Sequence, residues 1–529
     1  MKNKAIMPIV YSVILAVGVL FGIYIAQSNG VVTKKSGDNS LFINDIFSLI
    51  DEEYVDTVNM NDIQMKAITH VLESMDPHSE YIKPEILDEV NENLQGSFHG
   101  IGVTFRIEKD TIAIISTIKG GPSEKVGVMA GDRIVYVGDS LVAGNKITNK
   151  TAMSLLKGER GTKVNIKIKR RGVDDLLDFT ITRHVIPTYS VHVAYMIDDE
   201  IGFIKMTKFS ATTHKEFVKA VKKLKDDGMT KLILDLRGNT GGYLGEAVGV
   251  VDEMLADNNL IVYTQGEHRD RSYIFSRHRG LWENNDVAVL IDEGSASASE
   301  IVAGALQDND RGVIIGRRSF GKGLVQEQFD LGDNGAVRLT VARYYTPTGR
   351  CIQKPFTGNK EEYLLEEYTR YESGEMFNVD SIHFADSLKY ITPGGKTVYG
   401  GGGIMPDIYV ALENDSTRYF FNKMANNSIL FQYAFDYTDT HRKDILKYGD
   451  AKTFNEKFVF TDAMFNELMR RAEAKNSKGN AKEKAKAREL SEPLFKAYVA
   501  RDVFGDEAFY MLYEPIDDIL KKAVSVLKD

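Results

Sequence analysis

Between residues 189 and 350 the chain alternates apolar runs of strand length with amphipathic segments, and few architectures accept that order. "EIGFIKMTKF", "KLILDLRGN", "DVAVLIDE" and "GVIIG" read as strands, several apolar enough to be buried. "THKEFVKAVKKLKDDG", ending at Gly228, "YLGEAVGVVDEMLA" and "SEIVAGALQDN" lie among them and carry helical periodicity. "GAVRLTVARYY" adds a further strand. Such alternation implies an α/β layer, with helices packed on a sheet.

The flanks have different patterns. Residues 97–185 carry short strands with polar turns, and "TKVNIKIKRRG" alternates with period two, as a half-buried strand should. This is a compact β-rich module. Residues 41–96 read as a helical arm that packs on a neighbour or a second subunit; "SMDPHSEYIKPE" (74–85) breaks its helices with two prolines. Residues 186–410 hold the α/β core, with a polar, aromatic excursion at 355–390 expected on the surface. Residues 411–529 show helical periodicity, and such a tail could pack against the core, mediate oligomers or dock a partner. A chain of 529 residues is too long for one core, and no internal repeat is present.

The N-terminus bears on location. "MKNK" precedes a run without charge from Ala5 to Gln27. As a helix that run would cross a hydrocarbon core of about 30 Å. It is longer than the apolar core of about 7–15 residues in a cleaved signal peptide. An uncleaved single-pass anchor is expected, with residues 1–40 forming anchor and linker. Lys2 and Lys4 precede the run and Lys34 and Lys35 follow it, so charge only leans toward a cytoplasmic N-terminus. The body then lies outside the cytoplasm. A net charge of −9 without a broad basic domain argues against a nucleic-acid partner. Cys351 is the only cysteine, which excludes an intramolecular disulfide and a cysteine metal cluster.

Three segments carry candidate chemistry. In "IDEGSASASE", Ser297 lies in a small-residue turn between a buried strand and a helix. That is the logic of a strained nucleophile turn without its G-x-S-x-G pattern. The N–H of Ala298, at the helix start, could stabilise an oxyanion. Ser297 to Glu300 equally fits a capping box. In "SFGKGLVQ", Lys322 lies between Gly321 and Gly323. A lysine serves as a general base near neutrality only if desolvation lowers its pKa from about 10.4. Gln326 follows four residues later; in an extended segment the two Cα atoms would be about 13 Å apart. A direct contact therefore needs leaning side chains or a bend at Gly323. In "LDLRGNTGGYL", an N–H of the Gly241-Gly242 turn could be a second oxyanion donor, or the turn is only a tight one held by Asp235 and Arg237. Neither G-x-G-x-x-G nor a Walker pattern occurs. None of the ten histidines lies in these segments, although a distant one can fold in. No H-E-x-x-H occurs, and neither a metal nor a cofactor is expected.

"DLRGNTGG", "SASASEIVAGALQDNDRGVIIG", "SFGKGLVQ" and "RYYTPTGRCIQ", in that order, resemble the carboxyl-terminal processing proteases. These are serine–lysine endopeptidases with a PDZ domain. "DPHSEY", "FHGIGV", "AGDRIVYVGD" and "GGIMPD" fit as well, so the resemblance covers residues 40–410. It implies an α/β, ClpP/crotonase-like protease core with an inserted-type β-rich PDZ domain, an N-terminal helical arm and a C-terminal helical region. By position, Ser297 matches the nucleophile, Lys322 the general base and Gln326 the residue that orients it. The N–H of Ala298 and that of Gly241 or Gly242 match the oxyanion hole, which leaves Ser295 and Ser299 as cap and lining. Gly100, Ile101, Gly102 and Val103 match the loop that holds a free C-terminal carboxylate. Lys157 and Arg160 are candidates for coupling the PDZ domain to the active site.

The expected protein is a membrane-anchored endopeptidase of the bacterial cell membrane that cuts exported proteins near apolar C-termini. Its catalytic body lies outside the cytoplasm, on the periplasmic side if the cell is Gram-negative. Expected partners are substrates with free apolar C-termini, an adaptor protein and further copies of the chain. Two other readings compete. A catalytically silent PDZ scaffold would be favoured by a solvated Lys322. A crotonase-like acyl-CoA enzyme is disfavoured by the membrane segment, the PDZ module and the lack of a CoA-phosphate signature.

Overall fold

A six-stranded sheet forms the centre of the computed structural model, which describes residues 39–277 and 279–529. Its strands follow one another in space as they do in sequence: β1 (Val191–Met196), β2 (Ile201–Met206), β3 (Lys231–Asp235), β4 (Asp286–Ile291), β5 (Val313–Gly316) and β6 (Ile408–Tyr409). Only β1 runs antiparallel to its neighbour. Helices α1 (Thr213–Asp226), α2 (Leu244–Asp252) and α3 (Ala298–Asp308) supply the crossovers. Phe217, Val221 and Leu224 of α1, Val250 and Val251 of α2, and Val302 and Leu306 of α3 pack on Ile204, Leu232, Leu234, Val289 and Ile314.

Alternate residues of the same strands, Phe203, Ile233, Ala288, Leu290 and Ile315, face the other way. They are covered by the last helix of the chain, α4 (Asp518–Lys528), through Ile519, Leu520, Ala523 and Leu527. Burial on both faces explains why the central strands are apolar at successive positions. Of the roles open to the C-terminal tail, residues 518–528 take that of packing on the core, which their helical period alone did not single out. The preceding helices, from Tyr419–Asn426 to Ala481–Phe504, enclose a core of their own, with Phe454, Phe460, Leu468 and Phe495 inside.

An ionic link ties the two regions. Arg237, just after β3, donates to both carboxylate oxygens of Asp517 at 2.8 Å and to Asp235 at 3.0 and 2.7 Å. Burial alone would raise the pKa of Asp235, but Arg237 and Lys205 outweigh it and hold it at about 2. Asp517 also caps α4, accepting from the Leu520 N–H at 3.1 Å.

A second sheet is built on the long strand Ala336–Tyr345, which pairs with Glu80–Ile82, Leu260–Gly266 and Leu324–Asp330. The strand Glu80–Ile82 lies within the segment read as a helical arm; three residues between prolines left no strand periodicity to detect. The excursion at 355–390 is also more than a surface loop. Arg318 and Arg370 both donate to Glu375, Lys354 reaches Glu366 at 2.7 Å, and Tyr363 and Met376 are buried. Its charges look solvated in sequence because their partners are distant.

Residues 97–185 form a separate sheet of strands Val103–Ile107, Ile112–Thr117, Arg133–Val137, Lys163–Lys169 and Leu177–Thr182. Ile112, Ile114, Ile134, Ile166 and Ile168 are its core, and Thr148 caps its helix Asn149–Leu156. Residues 39–72 belong to a compact unit of their own. There the helix Asn39–Glu53 exposes Phe42, Ile43, Ile46 and Leu49. The run Ala5–Gln27, and with it the expected anchor, lies outside the described residues. No helix among the described residues is long and apolar enough to cross a membrane.

If α4 belongs to the core, Leu520→Ala should cost about 2–5 kcal/mol, read as a fall in the urea midpoint of the soluble chain. A loss below about 1 kcal/mol would show that the sheet does not depend on this helix.

Candidate active site

A cavity of about 430 Å³ lies at the junction of the two sheets, lined by Ser297, Lys322, Gln326, Gly241, Gly242 and Tyr344, among others. Ser297 reaches it from the turn between β4 and α3. The turn is fixed by its flanking serines: Ser295 Oγ donates to the Leu236 carbonyl at 2.9 Å, and Ser299 Oγ to that of Asn239 at 2.8 Å. Ser297 itself has φ 54° and ψ −111°. A residue other than glycine held there costs of order 1–3 kcal/mol and persists only where its surroundings impose it. Its carbonyl accepts from the N–H groups of Glu300 and Ile301 and from the Tyr344 hydroxyl.

Glu300 does more than the expected capping box asks. Its carboxylate accepts the Ser297 N–H at 2.8 Å and the Lys322 N–H at 2.9 Å. It also accepts the Gly321 N–H at 2.7 Å and the Ser319 hydroxyl at 2.6 Å. One fully buried carboxylate therefore joins the Ser297 turn to the Lys322 loop. Burial pushes its pKa above the usual carboxylate range, against the pull of the four donors.

Lys322 Nζ donates to Gln326 Oε1 at 2.9 Å. The contact forms because the strand begins only at Leu324 and its register slips between Val325 and Gln326, so the two residues are not held along one extended segment. Burial lowers the pKa of Lys322; the charge of Arg338 lowers it further, and Glu80 opposes both. Gln326 Nε2 in turn donates to the His78 carbonyl at 2.6 Å. A distant histidine does enter the site, but through its backbone. Burial, then the charge of Lys322, pushes the His78 ring down to about 3, so it stays neutral. Among the described residues no hydrogen bond joins Ser297 Oγ to Lys322 Nζ.

The glycine turn closes the other side. Gly241 N–H donates to Asn239 Oδ1 at 3.0 Å, so that amide is committed within the turn. A Cβ on Gly241 would fall 2.8 Å from Ser297 Cβ, and one on Gly242 would fall 2.1 Å from the Phe209 carbonyl oxygen. Both positions therefore need glycine for close approach. Of the two glycine amides, that of Gly242 makes no hydrogen bond among the described residues. Ala298 N–H, at the first position of α3, has no intrahelical acceptor.

In the β-rich module, Gly100 ends the strand Ser97–Gly100 and Val103 begins the edge strand Val103–Ile107. Ile101 is fixed through its carbonyl, which accepts from Ser123 N–H and Oγ. Gly102 has φ +72°, and a Cβ there would meet Ile186 at 3.0 Å. Lys157 pairs with Glu92 at 2.8 Å, on the helix that lines the cavity through Asn91 and Leu94. Arg160 is exposed.

Comparison with known proteins identifies the family and two of its domains. Residues 200–360 match the model of peptidase family S41, residues 100–181 match a PDZ domain, and residues 420–505 match a family of unknown function. The carboxy-terminal-processing protease of Bartonella bacilliformis is 38% identical over 314 residues, 58% of this chain and 71% of that protein. Carboxy-terminal processing protease CtpA of Bacillus subtilis is 31% identical over 353 residues, covering 66% of this chain and 75% of that one. Among solved structures, a photosystem II D1 C-terminal processing protease aligns with 72% of this chain and 95% of its own, at 24% identity and a TM-score of 0.35. The chain belongs to the carboxy-terminal processing proteases of peptidase family S41, serine proteases that here carry a PDZ domain.

Proposed function

We propose that the protein is an endopeptidase in which Ser297 is the nucleophile, Lys322 its general base and Gln326 the residue that aims the lysine. The observation that carries this reading is the environment of Lys322. The lysine is half-buried and lines the same cavity as Ser297, its Nζ hydrogen-bonds to a neutral amide, and its pKa is lowered by partial burial. A solvated lysine would have suited the silent scaffold.

The chemistry is acyl transfer. Ser297 Oγ adds to the scissile carbonyl while neutral Lys322 takes its proton. The oxyanion is received by the N–H groups of Ala298 and Gly242. Lys322 then gives its proton to the leaving amine, and an acyl-enzyme remains. Water, deprotonated by Lys322, attacks the ester, and the proton returns to Ser297 Oγ as the new carboxylate leaves. Substrate binding has to bring Oγ and Nζ together, as catalytic hydrogen bonds often form fully only in the complex.

The PDZ domain supplies substrate choice. A free C-terminus adds as a strand along Val103–Ile107, and its carboxylate meets the amides of Gly100–Val103. A PDZ domain solved with a bound peptide, from the carboxy-terminal protease of Vibrio cholerae, is 30% identical over 17% of this chain and aligns with a TM-score of 0.16. Apolar tails of exported proteins are the expected substrates. Residues 1–40 anchor the chain with its body outside the cytoplasm, the exposed face of Asn39–Glu53 meets further copies, and an adaptor delivers substrates.

With an unfolded substrate ending in an apolar tail, Ser297→Ala and Lys322→Ala in the soluble chain should each lower kcat by about 10³-fold or more. Amidating the tail should slow wild-type cleavage. Cleavage that survives Ser297→Ala would sink the assignment. The pH profile gives a second test. kcat/KM should rise with pH through one ionisation below the ordinary lysine value of about 10.4. Arg338 disfavours the ammonium form, so Arg338→Gln should raise the pKa of Lys322 and move the acid limb to higher pH. Glu80→Gln should move it lower. An acid limb indifferent to both would exclude Lys322 as the titrating group.

A further inference from the structure

We infer that Asp76 is a positioning residue for Lys322, acting through the turn Pro77–Ser79, the His78 carbonyl and Gln326. The inference rests on Lys322 being the base. The motif "DPHSEY" lies about 245 residues before that lysine, an interval whose loop-closure cost the folded core has to absorb, yet its turn forms one wall of the lysine site. Asp76 Oδ1 accepts the N–H groups of His78 and Ser79, both at 2.8 Å, and Oδ2 accepts the Ser79 hydroxyl at 2.5 Å. Ser79 Oγ then accepts the Thr340 N–H at 3.1 Å, and Glu80–Ile82 pairs with Ala336–Arg338. The turn is thereby locked to the sheet that carries Gln326.

Chemistry gives this lock a consequence. A side-chain amide has one donor end and one acceptor end. The His78 carbonyl can only accept, so it selects the rotamer with Nε2 toward itself at 2.6 Å. Oε1 must then face Lys322, where it takes one N–H of Nζ. A neutral lysine held this way keeps its lone pair for the Ser297 proton. With the carbonyl displaced, the amide can flip and present its own N–H groups to Nζ, which orients the amine wrongly. The ring of His78 supports the turn from outside, with Nε2 3.1 Å from the Tyr363 hydroxyl.

The inference is tested by a double-mutant cycle on soluble chain, with kcat and KM measured on the unfolded apolar-tailed substrate and folding followed by thermal melting. Asp76→Ala should lower kcat about tenfold or more with KM nearly unchanged, since small misplacements of catalytic groups are costly. Asp76→Asn keeps an oxygen for the two amides and should recover to within about threefold of wild type. In the Gln326→Ala background, Asp76→Ala should cost almost nothing more in kcat. If Asp76→Ala melts early, Ser79→Ala carries the same cycle with a milder change. Losses that multiply in the double variant would overturn the inference, because Asp76 would then serve the fold alone. Full activity in Gln326→Ala would overturn it as well. Full activity in Lys322→Ala would instead remove the reading beneath it.

Discussion

The site depends on the buried carboxylate of Glu300. Ser297 and Lys322 belong to different loops, one leaving β4 and the other leaving β5. Glu300 accepts a backbone N–H from each of them at 2.8 and 2.9 Å, and two further donors beside Lys322. A fully buried carboxylate with four donors is an expensive group to bury and a stiff one once satisfied. It also sits at the third position of α3, where negative charge is favoured by the helix dipole. The strained backbone of Ser297 persists because both sides of its turn are held this way.

Around that contact the site is assembled from distant parts of the chain. The Gly241-Gly242 turn approaches Ser297 because Gly241 carries no Cβ, and it packs on the Phe209 backbone because Gly242 carries none. Its base is held by Arg237, which is gripped by Asp235 before the turn and by Asp517 near the end of the chain. The helix that follows Asp517 covers the sheet from which the turn springs. The C-terminal region therefore supports the glycine turn on one side of the cavity, while the turn after Asp76 supports Gln326 on the other. Catalytic groups on short loops are aimed well only when such supports are rigid.

Much of this was legible in sequence, for definite reasons. The core strands are buried on both faces, so they stand out as apolar runs; the helices between them keep their period. Small residues around Ser297 and glycines around Lys322 and Gly241 mark places where backbone must pass close to other groups. Tertiary pairings were not legible. The S-x-x-E spacing revealed Glu300 as a cap but not its grip on a loop some 20 residues later, since spacing carries only local geometry. The sequence left open whether leaning side chains or a bend brings Gln326 to Lys322, because the slip in register has no sequence signal. The strand Glu80–Ile82 was too short to show a period, and Asp517 and Arg318 pair with Arg237 and Glu375, 280 and 57 residues away. The two glycine amides differ only in tertiary detail that sequence does not carry: the Asn239 side chain occupies that of Gly241, and that of Gly242 makes no hydrogen bond among the described residues.

The most direct measurement is a crystal structure of the Ser297→Ala variant holding an uncleaved peptide with an apolar C-terminus. The account predicts the scissile carbonyl oxygen between the N–H groups of Ala298 and Gly242, with Lys322 Nζ still on Gln326 Oε1 and facing the place vacated by Oγ. It also predicts the Glu300 carboxylate unmoved. A scissile carbonyl bound by Gly241 with its Asn239 contact broken, or a lysine turned away from residue 297 in the complex, would contradict it.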